Sequence, residues 1–225
     1  AKVVSHDETR IVLTGVLVSC VGSTLKMVAT DSYRLAVSET ELDSPCPEEF
    51  EAVIAGSFLQ DIASLPQSED PVTIALNDNQ IVVTYRDTTF INRRIEGTFP
   101  NYKQLIAEGY STRATLSTHA LTDAVRRVSL LSNKVSPVQV RVDAESGVVT
   151  LLTNSQDIGN AQENLICEVD GESVDIAFNF TFMLDGLNSI DTDAVHLDLF
   201  GPMKPGILRA AEGENFLYLI MPVRV

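Results

Sequence analysis

Thr24-Leu-Lys-Met-Val-Ala-Thr-Asp31 returns as Gly147-Val-Val-Thr-Leu-Leu-Thr-Asn154, so that Leu25, Thr30 and Asp31 each precede Val148, Thr153 and Asn154 by 123 positions. Phe58 and Asp61 recur as Phe182 and Asp185 at an offset of 124, and Val72-Thr-Ile-Ala-Leu76 recurs as Val195-His-Leu-Asp-Leu199 at 123. A near-constant offset across separate segments means two copies of one unit. The 225 residues are ample for two domains that each bury a core. Pro100 enforces a turn in the linker Gly97-Thr-Phe-Pro-Asn-Tyr-Lys-Gln-Leu-Ile106. The copies are therefore expected at residues 1–105 and 106–225.

Each copy reads as strands followed by a helix and more strands. Residues 11–21 and 24–30 are rich in β-branched and apolar side chains and flank Gly22-Ser23, a hairpin signal. Residues 138–142 and 148–153 form the matching pair. A strand is expected at 36–38, before the loop Asp43-Ser-Pro-Cys-Pro47. Ser57 and Gln60 have capping-box spacing ahead of Phe58, Leu59, Ile62 and Leu65, and the counterpart helix is expected over 181–190. Strands 71–76, 80–85 and 88–93 follow, the first two joined by Asn77-Asp-Asn79. In the second copy Leu121, Ala124, Val125, Val128 and Leu131 repeat with helical period over 117–132. Subtracting the offset puts the equivalent helix of the first copy partly before residue 1, so residues 1–5 read as its last turns and the chain as a piece of a longer protein. The apolar end Phe216-Leu-Tyr-Leu-Ile-Met-Pro-Val-Arg-Val225 reads as a packed strand rather than a solvated tail.

Catalytic constellations are missing from the sequence. His6, His119 and His196 share no ligand spacing with one another or with Cys20, Cys46 and Cys167, which read as buried or incidental thiols. No metal site, cofactor or catalytic residue is expected. Asp61 and Asp185 occupy equivalent positions and read as first-turn carboxylates that favour a helix dipole. The turn Thr30-Asp-Ser-Tyr-Arg-Leu35 sends an aromatic and an arginine outward. The net charge of −15 argues against strong binding to nucleic acid, and residues 35–85 and 142–203 contain no lysine or arginine. No apolar run approaches the ~20 residues of a membrane helix, which makes the cytoplasm the simplest address.

Five motifs carry a family resemblance: Ala29-Thr-Asp-Ser-Tyr-Arg-Leu-Ala36, Gly97-Thr-Phe-Pro-Asn-Tyr102, Leu131-Ser-Asn133, Phe178-Asn-Phe-Thr-Phe-Met-Leu-Asp185 and Met221-Pro-Val-Arg224. In this order, and over the whole chain, they resemble the bacterial sliding-clamp family, the β subunits of DNA polymerase III. The resemblance implies an α+β fold of tandem clamp-type domains, each with helices packed on antiparallel sheet. This chain resembles the second domain without its first helix, plus a complete third. It also implies a processivity role: in the family two three-domain subunits close head to tail into a homodimeric ring around duplex DNA. The first domain of one subunit meets the third of the other, so this chain alone is not expected to close a ring.

In the family, polymerase, clamp loader and repair proteins dock through short Gln-Leu-x-Leu-Phe-type peptides in a groove between the second and third domains. Carried over by position, the resemblance implies one wall of Leu13, Thr30, Ser32, Tyr33, Arg34 and Leu35, continued by Pro100, Gln104 and Leu105. Val135, Asn179, Phe182, Met203 and Pro205 follow from the second copy, with Leu219, Ile220, Met221, Pro222, Val223 and Arg224 opposite. Ser32 departs from the glycine of many members, Tyr33 from the histidine of some and Gln104 from a basic residue in some. Helices line the family's central hole, which makes Arg126, Lys134, Arg127 and Lys2 the candidates to face DNA. A ring held by topology needs only weak phosphate contact, in keeping with the acidic balance. The alternatives are a non-enzymatic β-rich repeat module for ligand binding or adhesion, which leaves the terminal and Ala29-to-Ala36 motifs unexplained, and a carboxylate-dependent hydrolase.

Overall fold

In the computed structural model, which describes residues 1–66, 68–131, 137–155, 159–212 and 215–224, the chain divides into two compact units, Ala1–Asn101 and Tyr102–Val225. The division falls just before Tyr102, which is buried and opens a short 3-10 helix, Tyr102–Leu105.

The first unit is built from seven antiparallel strands: β1 (Gly15–Val21), β2 (Thr24–Thr30), β3 (Arg34–Glu41), β4 (Phe50–Ala55), β5 (Val72–Leu76), β6 (Gln80–Tyr85) and β7 (Thr88–Ile95). Their order is β3-β2-β1-β4-β7-β6-β5. Gly22 turns the β1–β2 hairpin at φ 58°, a conformation that costs glycine little and other residues more. One helix, α1 (Gly56–Ala63), follows β4.

Several local expectations need correction here. Residues 11–14 are not strand: they end a 3-10 helix, Glu8–Thr14, started by Asp7, whose carboxylate accepts the Thr9 N–H at 3.0 Å. Residues 1–5 form a turn with Val3 and Val4 buried, not the end of a helix. The capping box at Ser57 does not form, because α1 begins a residue earlier with Ala55 at its N-cap and no side-chain cap bond. Asp61 therefore lies beyond the first turn, as Asp185 does in its own helix, and neither is a first-turn carboxylate. Cys20 and Cys46 are not free thiols but a disulfide, with Cα atoms 6.5 Å apart across 26 residues. It ties β1 to the proline-bearing loop before β4, where the Cys46 N–H also donates to the Gly22 carbonyl at 2.8 Å. An odd number of widely separated cysteines had suggested thiols; the pairing comes from the fold bringing two distant positions within bonding reach.

The second unit has two sheets. β8 (Thr112–Ser117), β12 (Glu168–Gly171), β14 (Ala194–Leu199), β15 (Gly206–Ala210) and β16 (Asn215–Ile220) run in the order β12-β8-β14-β15-β16. β9 (Val138–Asp143), β10 (Val148–Ser155), β11 (Gly159–Ile166) and β13 (Val174–Phe178) run β11-β10-β9-β13. Helix α2 (Thr118–Ser129) starts at Ser117, whose side chain accepts from the Ala120 N–H, and packs on β9, β10 and β11 and on α3 (Phe180–Leu187). Leu121, Ala124, Val125 and Val128 of α2 meet Val138, Val140, Val142, Val149 and Leu151, all fully buried. Each such valine or leucine contributes roughly 1.5–3 kcal/mol by leaving water. Gly186 lets α3 approach β16: a Cβ there would lie 2.5 Å from Tyr218.

The other sheet is crossed by an ion network. Asp198 of β14, fully buried, accepts from Arg113 of β8 through Nε at 2.6 Å and Nη2 at 2.7 Å, and from Nε of Arg209 of β15 at 3.2 Å. The bond to Asp198 raises the Arg113 pKa above the usual guanidinium value, and its Cζ lies 4.2 Å from the centre of the Tyr110 ring.

The sequence duplication survives as geometry. β1 and β2 match β9 and β10, α1 matches α3, and β5 matches β14. The copies differ at one edge. β14 is flanked by β8 and β15 and is mostly buried, whereas β5 pairs with β6 alone among the described residues and leaves Val72 and Ile74 exposed.

Candidate functional site

The second unit carries a cleft whose walls follow from strand alternation. Val138, Val140 and Val142 of β9 point into the core, so Gln139 and Arg141 point the other way. β13 is the last strand of its sheet, and the free side of its backbone takes the C-terminal tail: the Val223 N–H donates to the Ala177 carbonyl at 2.8 Å. One backbone hydrogen bond thus anchors the tail to the free edge of the sheet. Between it, the β9–β10–β13 face and the β14–β15 connection lies a cleft of ≈ 630 Å³ lined by Gln139, Arg141, Leu152, Asp175, Ala177, Met203, Val223 and Arg224 with their neighbours.

The lining combines apolar and charged side chains. Met203 and Val223 are 55% and 37% exposed, and Leu152 lies with them in the lining. Arg141 and Asp175 face each other across the β9–β13 register, and Arg141 Nε reaches both carboxylate oxygens, at 3.0 and 3.2 Å. Met203, Val223 and Arg224 are the positions anticipated from the motifs that reach this cleft. Gln139, Arg141, Leu152, Asp175 and Ala177 were not anticipated. Alternation with Val138, Val140 and Val142 marks Gln139 and Arg141 as outward-facing, but nothing local says that the tail will dock beside them.

The other second-unit positions are dispersed. Asn179 caps α3, its Oδ1 accepting the Thr181 N–H at 2.9 Å. Leu219 and Ile220 are buried within β16, Phe182 and Pro205 are half-buried, and Met221 and Pro222 lead into the tail. Gln104 and Leu105 are exposed in the 3-10 helix. Val135 and Lys134 lie outside the described residues.

In the first unit, Thr30 to Leu35 form a tightly bonded turn. Asp31 Oδ1 accepts the Tyr33 and Arg34 N–H groups at 2.9 and 3.0 Å, and its Oδ2 holds Arg34 Nε at 3.0 Å. Thr30 Oγ1 donates to the Arg34 carbonyl at 2.7 Å and accepts the Ser32 N–H at 3.1 Å. Tyr33 projects outward, 62% exposed, but Arg34 does not: it is 9% exposed and reaches the Lys2 carbonyl, which corrects the expectation of an outward arginine. Its bond to Asp31 and the backbone outweighs the loss of water around the guanidinium. Ser32 has φ 80°, a left-handed geometry in which the glycine of many resembling sequences would be unstrained. Leu13 and Leu35 are buried and Pro100 is exposed.

The helix cations are paired. Arg127 grips Glu163 through Nε at 2.7 Å and Nη2 at 3.1 Å, which holds the Glu163 carboxyl below its usual range. Arg126 bonds Asn188 Oδ1 at 3.0 Å and Asp123 Oδ1 at 3.5 Å, and Lys2 is exposed. Among the described residues no group of three or more His, Cys, Asp and Glu side chains could hold a metal ion, and no helix is long and apolar enough to cross a membrane.

Comparison with known proteins gives the same pattern over both units. The family described as DNA polymerase III beta subunit, central domain, matches residues 2–101, and the same subunit's C-terminal domain family matches residues 103–224. The beta sliding clamps of Synechocystis sp. and Staphylococcus aureus are each 33% identical over 98% of the chain. The chain spans 60% and 59% of their lengths. Among solved structures, the Bacillus subtilis sliding clamp superposes with a TM-score of 0.95 at 29% identity, over 100% of this chain and 60% of that one. A Pseudomonas aeruginosa sliding clamp bound to griselimycin superposes with a TM-score of 0.92 at 25% identity, over 100% of this chain and 61% of that one.

Proposed function

Because this chain belongs to the DNA polymerase III beta subunit family, we propose that it carries two domains of a sliding clamp, residues 1–105 and 106–225, and works without catalysis of its own. In that role the complete protein is a homodimeric ring around duplex DNA in the bacterial cytoplasm, at the nucleoid. The replicative polymerase, clamp loader and repair proteins are tethered to it through Gln-Leu-x-Leu-Phe-type peptides. The supporting observation is the second-unit cleft, where the C-terminal tail, Met203 and the β9–β10–β13 face offer exposed apolar surface beside arginine and an open strand-like backbone. An extended peptide with buried leucine and phenylalanine and a hydrogen-bonding glutamine suits such a surface. Asn179, in the same unit, belongs to the proposed site by family resemblance.

Two measurements test this. A labelled Gln-Leu-Ser-Leu-Phe peptide is expected to bind the chain, and a version ending at Ile220 is expected to bind at least about tenfold more weakly, a loss of about 1.4 kcal/mol. Equal affinity for the two forms would remove the tail from the site. Linear duplex DNA is expected to bind weakly. With about three phosphate contacts, affinity falls roughly 40-fold between 50 and 200 mM salt. The net charge of −15 and the paired Arg126 and Arg127 motivate that expectation, and tight, salt-insensitive binding would contradict a topologically held clamp.

A further inference from the structure

We propose that the second-unit cleft also reads the residues flanking the bound motif, favouring a carboxylate next to an apolar side chain, with Arg141 and Arg224 as the groups that recognise it and Asp175 restraining Arg141. The inference rests on the peptide-site reading above and extends it to residues outside the motif.

The cleft's charge runs against that of the chain. The whole carries a net −15, yet the cleft is lined by two arginines and one aspartate. Arg141 meets Asp175 through Nε alone among the described residues, so its two Nη groups keep donors for a second carboxylate. Arg224, at the end of the tail, has no ion pair among the described residues. Leu152, Met203 and Val223 lie in the same lining and supply the apolar partner surface. A flanking segment that carries an apolar residue and then a glutamate therefore packs the first at the edge of this surface, beside the motif, while its carboxylate accepts hydrogen bonds from the arginines. A lysine in the same place meets like charge. Because Arg141 and Asp175 are 55% and 65% exposed at the side chain, solvent screens the effect, and a discrimination of about fivefold at low salt is expected.

The test uses the whole chain and fluorescent Gln-Leu-Ser-Leu-Phe peptides, bare or extended at either end by Leu-Glu or Leu-Lys. The readout is the ratio of Glu-peptide to Lys-peptide affinity in the unaltered chain, in Asp175→Asn and in Arg141→Glu. At one of the two ends, the unaltered chain should favour glutamate about fivefold, Asp175→Asn should widen the ratio by freeing Arg141, and Arg141→Glu should abolish or invert it. The opposite signs expected for two exposed neighbours separate charge reading from damage to the fold. A ratio near one at both ends, or a glutamate preference that Arg141→Glu leaves intact, overturns the inference while bare-peptide binding keeps the site reading. Failure of the bare peptide to bind removes both.

Discussion

Asp198→Ala is expected to lower the unfolding free energy of the chain by about 3 kcal/mol, measured as a reduced urea midpoint at unchanged slope. The carboxylate is fully buried and accepts three hydrogen bonds from two arginines, stitching β8 to β14 and β14 to β15. Without it, Arg113 and Arg209 are left as neighbouring like charges over an apolar sheet. Their side chains are 27% and 31% exposed, so both can turn partly toward water, which places the expected loss at the lower end of the range for broken buried pairs. Removing Arg113 together with Asp198 should cost less than the two single losses combined, because the double variant strands fewer charges. A loss under about 0.5 kcal/mol for Asp198→Ala would show that the network contributes nothing to stability.

Reduction of the Cys20–Cys46 bond is expected to have a similar effect on the first unit. Cross-linking positions 26 residues apart removes loop entropy from the unfolded chain, worth about 3 kcal/mol for a loop of this size. Dithiothreitol should lower the thermal midpoint of the unaltered chain and leave Cys20→Ala/Cys46→Ala unmoved. The comparison separates the bond from the small gap that alanine leaves at Cys20, which is 1% exposed. Hydrogen exchange at residues 43–49 should rise on reduction, since the Cys46 N–H to Gly22 carbonyl bond is then that cysteine's remaining tie to the hairpin. An unchanged midpoint under reductant would mean that the two sulfurs are not bonded in solution.

Much of the architecture was legible because it is written locally. Of the expected stripe, Leu121, Ala124, Val125 and Val128 are fully buried in α2, whereas Leu131 falls beyond the helix end and is half-buried. The Gly22 hairpin and the Asn77 to Gln80 turn were equally plain, the latter closed by Asn77 Oδ1 accepting the Gln80 N–H at 2.7 Å. Errors clustered where two local signals compete. At residues 11–14 the β-branched Ile and Val suggested strand, but Asp7 capping and the chain's path over the unit made a 3-10 helix. At Ser57 the capping spacing was present, yet β4 runs straight into α1 and puts Ala55 at the N-cap, where a methyl side chain has no atom to accept a hydrogen bond. The strands β4, β8, β11, β12, β13 and β15 were not distinguished; among them, polar sequences such as Gly159-Asn-Ala-Gln-Glu-Asn-Leu-Ile166 alternate too weakly to stand out from loop.

The candidate site divides in the same way. A motif named its tail and family resemblance named Met203, whereas Arg141 and Asp175 stand 34 residues apart and become partners through the β9–β13 register alone. What the sequence determined by itself was the duplication, the α+β class and the family, because a repeated offset and ordered motifs are properties of one dimension. The tertiary structure decided which side chains converge: the Cys20–Cys46 bond, the inward turn of Arg34, the buried Asp198 network and the mixed-charge cleft beside the tail. Each joins groups from elements whose separation is set by sheet register and packing, and register is fixed by the burial of whole strand faces rather than by any residue in the pair.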